Sequence, residues 1–281
     1  MFSPLPLRER FIKTMIKKNS NQIWESINEL GEALQKGYSV TDPETIKKQY
    51  LAQVKQYPLY LDWFDRIEKI IKKQNKPVKI LEYGSGTGLL AGRLIRNKMI
   101  EKYIVVEPEK MFREMTKKET RGKAKIIDET GENYSNKNYF DIIIATATYH
   151  HFFNKPKAIK NFYENLKNDG LLIVAEVFIP EYKIDNNYNP STKVQFIENV
   201  LKYASAQILA MPKPKETDVI DQIKTAFMDI LRIEELKVCV PVLLKQLKQT
   251  GFKQIKNELM KGKDKKINYT NLGYYFIVAK K

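Results

Sequence analysis

Between Val78 and Gly88 the chain reads V-K-I-L-E-Y-G-S-G-T-G, with glycines alternating at Gly84, Gly86 and Gly88. A short apolar run of this kind is how a strand buried on both faces reads. Glycines directly behind it let the backbone take positive φ or pass close to a ligand. The segment that follows, L-L-A-G-R-L-I-R, has helical spacing. Strand, glycine turn and helix in that order build a ligand pocket at the carboxyl end of a parallel strand. No other part of the 281-residue chain is as specific.

Two ligand classes use such a turn, and the spacing separates them. The dinucleotide pattern G-x-G-x-x-G/A can be laid on Gly86, Gly88 and Ala91, with Glu107 in the ribose position. That reading leaves Glu82, two residues before the first glycine, without a role. A pyrophosphate disfavours a carboxylate beside it, whereas a ligand with a cationic amino-acid end favours one. The acid-x-G-x-G-x-G form resembles the first motif of the class I S-adenosylmethionine (SAM) methyltransferases.

The resemblance continues in order along the chain. Tyr103 to Glu107 is similar to the second strand of that family, which ends in an acid on the ribose. Pro108 follows, and Met111 stands where the family packs an apolar residue on adenine. Lys125 to Glu129 resembles the third strand, which implies Asp128 or Glu129 as acceptor for the adenine amino group. Phe140 to Thr148 resembles the fourth strand, and Tyr149-His150-His151-Phe152 matches the histidine pair that often follows it. Asn165 to Glu176 resembles the turn and fifth strand, with Asn168-Asp169-Gly170 in place of Pro-Gly-Gly. Phe252 and the run from Gly273 to Lys281 resemble a closing pair of strands that a dinucleotide domain lacks.

The resemblance implies an α/β fold: a seven-stranded, mostly parallel, doubly wound sheet with helices on both faces. It implies SAM as cofactor, with S-adenosylhomocysteine as product. The cofactor residues it implies are Glu82, Gly84, Ser85, Gly86, Gly88, Glu107, Pro108, Met111, Asp128, Glu129, Ala145 and Thr146. For proton transfer the candidates are His150 and His151, the only two histidines, and Glu176. No metal is expected, because neighbouring histidines point differently and no carboxylate cluster joins them at recognisable spacing. A G-x-S-x-G hydrolase elbow is absent.

Outside the core, residues 1–75 read as a helical extension. Its helical signals are Ser20 to Gly37, a start at Thr41-Asp-Pro-Glu44, and a start at Pro58 followed by Leu59, Trp63, Ile67 and Ile70. The remainder, 76–281, reads as one domain with an insertion at about 180–235. Two helices are predicted there, one with Val194, Ile197, Leu201 and Ile208 on a face. The other carries Val219, Ile223, Phe227 and Leu231, and the segment 211–215 separates the two. Its place at the ligand edge predicts a lid over a small substrate.

Composition fits a cytoplasmic enzyme. A single cysteine, Cys239, excludes a disulfide framework and any cysteine-rich metal site. No apolar run reaches the roughly 20 residues that span a membrane. The net charge of +16 raises nucleic acid as a partner, but 41 of the 49 basic residues are lysines spread along the chain. The expected acceptor is therefore a small molecule, methylated on oxygen or nitrogen. An RNA or protein acceptor is the first alternative, and a catalytically idle SAM-binding module is the second.

Overall fold

The computed structural model describes residues 59–185, 190–211, 213–232, 235–263, 265 and 267–281. The helical signals before residue 59 lie outside the described residues. The described chain runs α1 (Leu59–Lys72), β1 (Val78–Tyr83), α2 (Leu89–Leu94), β2 (Ile100–Val106), α3 (Lys110–Glu119) and β3 (Lys125–Ile127). It continues with β4 (Phe140–Thr146), a 3-10 turn at Tyr149–His151, α4 (Lys155–Asn165) and β5 (Leu166–Val177). Then come α5 (Lys193–Ala210), α6 (Glu216–Leu231), α7 (Val240–Thr250), β6 (Lys253–Leu259), α8 (Tyr269–Leu272) and β7 (Tyr274–Lys280).

The seven strands form one sheet in the order β3-β2-β1-β4-β5-β7-β6. β1 pairs in parallel with both β2 and β4, β2 with β3, and β4 with β5. β7 runs antiparallel to β5 and β6. The closing antiparallel pair argues against the dinucleotide pattern. After β1 the chain builds outward through β2 and β3, then returns to place β4 on the other side of β1. That reversal opens a crevice at the carboxyl ends of β1 and β4, where α/β sheets bind ligands.

The middle strands form as their residues dictate. Ile142, Ile143 and Ile144 of β4 are all fully buried, as a parallel strand covered on both faces requires. Each such side chain contributes roughly 1.5–3 kcal/mol by leaving water. On α1, Trp63 and Ile67 are fully buried, and the Trp63 ring packs 5.3 Å from Tyr274 of β7. Asn168-Asp169-Gly170 forms an irregularity within β5, where Asp169 takes φ 64.

The insertion holds the two helices predicted, with their predicted faces only partly inward: Ile197 is buried and Phe227 and Leu231 pack against the core. Val194 and Leu201 of α5 are 55% and 43% exposed, while Phe196, Val200, Tyr203 and Gln207 face the protein. On α6, Ile223 is 45% exposed and Ala226, Asp229 and Ile230 are buried. Both helices are turned by what they meet: Gln207 Nε2 donates to the Leu272 carbonyl at 3.2 Å, and Asp229 pairs with Lys237. Buried polar partners thus override the apolar count on each helix. No helix among the described residues is long and apolar enough to cross a membrane.

Candidate active site

The glycine turn closes the end of β1. Gly84, Gly86 and Gly88 all take positive φ, at 66°, 50° and 78°. A Cβ on Gly84 would stand 2.0 Å from Thr148 Oγ1, so this glycine lets the turn lie against the segment after β4. A Cβ on Gly86 would meet nothing within 4 Å. Gly86 thus borders open space at the crevice. The turn is held by the Ser85 and Thr116 hydroxyls at 2.7 Å and by the Gly86 N–H donating to Glu107 Oε2 at 3.2 Å.

Both expected acids flank this turn. Glu82 is buried in β1 and accepts from the Tyr103 hydroxyl at 2.8 Å. Burial pushes its carboxyl up to about 8, against the opposing effect of that hydrogen bond. Glu107, directly after β2, is also buried and also accepts from the Glu109 N–H at 3.1 Å. Burial raises its carboxyl, and the two backbone donors hold it down in part. Ala145 and Thr146 lie at the carboxyl end of β4, and Met111 is half-buried on α3. Asp128 and Glu129 are exposed, and Asp128 pairs with Arg113 at 2.7 Å. Arg113 in turn donates to the carbonyls of Glu107 and Pro108.

The segment after β4 brings the histidines to β5. Ala147 adopts φ 47, unusual for a residue with a side chain, just before the 3-10 turn. The Tyr149 hydroxyl anchors that turn by donating to Gln246 of α7 at 2.6 Å. His150 Nδ1 lies 2.9 Å from Glu176 Oε1, and the backbone N–H of His150 donates to Glu176 Oε2 at 3.3 Å. Burial would raise the Glu176 carboxyl, but His150 and the Val177 N–H outweigh it and hold it below the ordinary carboxylate value. An ionised carboxylate only accepts, so Nδ1–H is the donor to Glu176 and Nε2 is the nitrogen turned away from it. That Nε2 faces Glu235 Oε2 at 3.6 Å.

Residues 54–205, more than half of the chain, match a family described as a methyltransferase domain. The chain belongs to that family, one of the class I SAM-dependent methyltransferases. It is 28% identical over 143 residues to a malonyl-[acyl-carrier protein] O-methyltransferase of Priestia megaterium, a match covering 47% of this chain. The chain spans about half, 51%, of that curated relative. Among solved structures it resembles a Thermotoga maritima protein described as a possible histamine N-methyltransferase. There the TM-score is 0.51 and the identity 16%, covering 85% of this chain and 97% of that one. It also resembles the CMeT domain of a citrinin polyketide synthase, with TM-score 0.53, 16% identity, and 77% and 52% coverage. These two likenesses concern the fold.

The residues of this methyltransferase suit SAM at the crevice. Gly86 leaves space that a side chain would fill. Thr87 Oγ1 in the glycine turn and Thr146 Oγ1 at the end of β4 are buried without a hydrogen-bond partner. Buried hydroxyls are rarely left so. Glu107 and Glu82, the two acids that the resemblance assigns to the cofactor, lie at the ends of β2 and β1 on either side of this turn.

Sequence reasoning missed the cluster behind His150. Lys155, at the start of α4, donates to the carbonyls of His150 and Phe152 at 3.2 and 2.8 Å. Burial, with Arg232 adding to it, pulls its ammonium down to about 7. Lys237 lies between Asp229, at 3.1 Å, and Glu235. The Leu236 N–H donates to the His150 carbonyl at 3.1 Å, fixing the exit of the insertion against the histidine turn. The one signal was charge inside the otherwise apolar stretch E-L-K-V-C-V-P-V. Cys239 in that stretch is a buried free thiol, as its surroundings predict. One nitrogen of each histidine and one carboxylate oxygen of Glu235 lie within 4.8 Å of one another.

Proposed function

We propose that this methyltransferase transfers the SAM methyl group to the oxygen or nitrogen of a small molecule, with His150 as general base. The observation that carries the reading is the pairing of His150 Nδ1 with Glu176 beside the glycine turn. Bound SAM supplies an electrophilic methyl group and leaves as S-adenosylhomocysteine. Glu82, Glu107 and the glycine turn hold the cofactor. His150 Nε2 takes the proton of the acceptor O–H or N–H, and Glu176 stabilises the imidazolium that results. Glu176 acts through His150 and so positions the base. The insertion, tied to the histidine turn through Leu236, excludes water and limits the size of the acceptor.

A second reading has a specific support. The Priestia megaterium relative is named for an acyl chain borne on a carrier protein. A net charge of +16 suits an acidic protein partner. The test is incubation with radiolabelled SAM and, in separate reactions, a small-metabolite extract, an acylated carrier protein and total RNA. Label in small products supports the proposal. Label in the carrier protein favours the second reading, and label in RNA overturns both.

A further inference from the structure

The rings of His150 and His151 stand 4.0 Å apart between centroids, tilted by 46°. One ligand atom from each histidine and one carboxylate oxygen of Glu235 all lie within 4.8 Å of one another. The 3.6 Å between His150 Nε2 and Glu235 Oε2 is a gap that one ion can bridge. Zinc sits about 2.0–2.1 Å from imidazole nitrogen and about 2.0–2.2 Å from carboxylate oxygen. Two such bonds span 3.6 Å at an angle between tetrahedral and trigonal.

We propose that His150, His151 and Glu235 form a binding site for a divalent transition-metal ion of the zinc class. Two imidazoles and a carboxylate suit zinc or ferrous iron, whereas magnesium and calcium prefer oxygen alone. A second feature supports the site independently. A histidine that ligates a metal almost always gives its other N–H to a carboxylate or carbonyl, which fixes its tautomer and aim. Glu176 takes that N–H from His150 and is itself fixed by the backbone N–H groups of His150 and Val177. Nε2 is thereby directed at the side where Glu235 stands.

The surroundings limit the affinity. Lys237 already pairs with Glu235 and competes with an ion for it, while Asp229 can keep Lys237 paired if the ion wins. Micromolar binding follows better from this than nanomolar binding. Nε2 can serve either the ion or a substrate proton, so an occupied site removes the general base. The site rests on side-chain geometry alone and stands apart from the reading of the acceptor.

Titration calorimetry of the full chain with Zn²⁺ tests it, using wild type, His151→Ala, Glu235→Ala and Glu176→Gln, with thermal unfolding checking that each variant folds. One ion per chain is expected, bound at least about tenfold more weakly after loss of either ligand. Glu176→Gln should weaken it by about 10- to 100-fold. Co²⁺ bound to wild type should show the strong visible absorption of a low-coordinate nitrogen and oxygen site, a readout needing no variant. Absence of saturable 1:1 binding to wild type would overturn the proposal, as would equal affinity in all folded variants. Methyl transfer that needs His150 in a protein that binds no zinc sinks the metal site and leaves the proposed base standing.

Discussion

The Tyr103 hydroxyl of β2 donates to the Glu82 carboxylate of β1 at 2.8 Å, beneath the glycine turn and out of reach of water. A carboxyl there keeps its proton to about 8. The same acid is the one the motif offers to a cationic ligand. If Glu82 holds the cationic end of SAM, as the resemblance implies, its cost of ionisation links stability to binding.

The first prediction follows from that link. The folded-state value of Glu82, about 8, lies above its ordinary 4.5, so the folded state holds a proton that the unfolded chain releases. The cost is absent below about pH 4.5 and grows as pH rises toward 8. Glu82→Gln keeps an acceptor for Tyr103 and removes the charge. The ligand-free variant should be more stable than wild type by roughly 1–3 kcal/mol at pH 8, and no more stable at pH 4. It should also bind SAM more weakly. Denaturant unfolding at both pH values checks this, and a pH-independent difference would refute it.

Glu107→Ala should weaken SAM and S-adenosylhomocysteine by about tenfold to a hundredfold. That is the roughly 1–3 kcal/mol that follows when a buried donor loses its acceptor. Calorimetry measures it, and tighter binding of NAD than of SAM would contradict the cofactor assignment.

Two glycines should behave differently. A Cβ on Gly86 would meet no protein atom within 4 Å, so Gly86→Val should fold, at a cost of about 2 kcal/mol for a β-branched residue in a left-handed backbone, and should lose SAM binding. Gly84→Val forces a carbon to 2.0 Å from Thr148 Oγ1, so this variant should unfold at a markedly lower temperature. Thermal melts with and without S-adenosylhomocysteine separate the two outcomes.

With the acceptor found, His150→Ala should lower kcat by about 10²–10⁴-fold while S-adenosylhomocysteine still binds. Glu176→Gln should lower kcat less. The Glu176 carboxyl is held below its ordinary 4.5, so its stabilising effect is present above that pH and is lost as pH falls through the folded value. Acid titration of Glu176→Gln should therefore show a shallower loss of stability than wild type. Equal acid profiles would remove the charge pairing from the account.

S-adenosylhomocysteine should slow hydrogen exchange in α5, α6 and the segment 235–239, because that segment is tied to the histidine turn. Protection confined to the glycine turn would show that the insertion does not respond to the cofactor.

The sheet was legible in the sequence because each inner strand is written locally. V-K-I-L-E-Y and F-D-I-I-I-A-T are apolar runs bounded by turn residues, and such runs form strands wherever helices cover them. The glycine turn was legible for the same reason: positive φ at three alternating positions needs glycine and leaves a trace in the letters. Glu82, Glu107, His150 and Glu176 were named from the resemblance, and the structure puts each at or shortly after the carboxyl end of an inner strand. The facing of α5 and α6 was legible only in part: Ile197, Phe227 and Leu231 turn inward as their spacing predicts. Val194, Leu201 and Ile223 have the right spacing for a buried stripe and are exposed, since the helices turn to satisfy Gln207 and Asp229. Nor was Glu235 legible as a neighbour of His150. No local rule relates residues so far apart. Only the packing of the insertion's exit against the histidine turn puts a carboxylate at that imidazole, because a buried charge takes whatever partner the tertiary fold brings within reach.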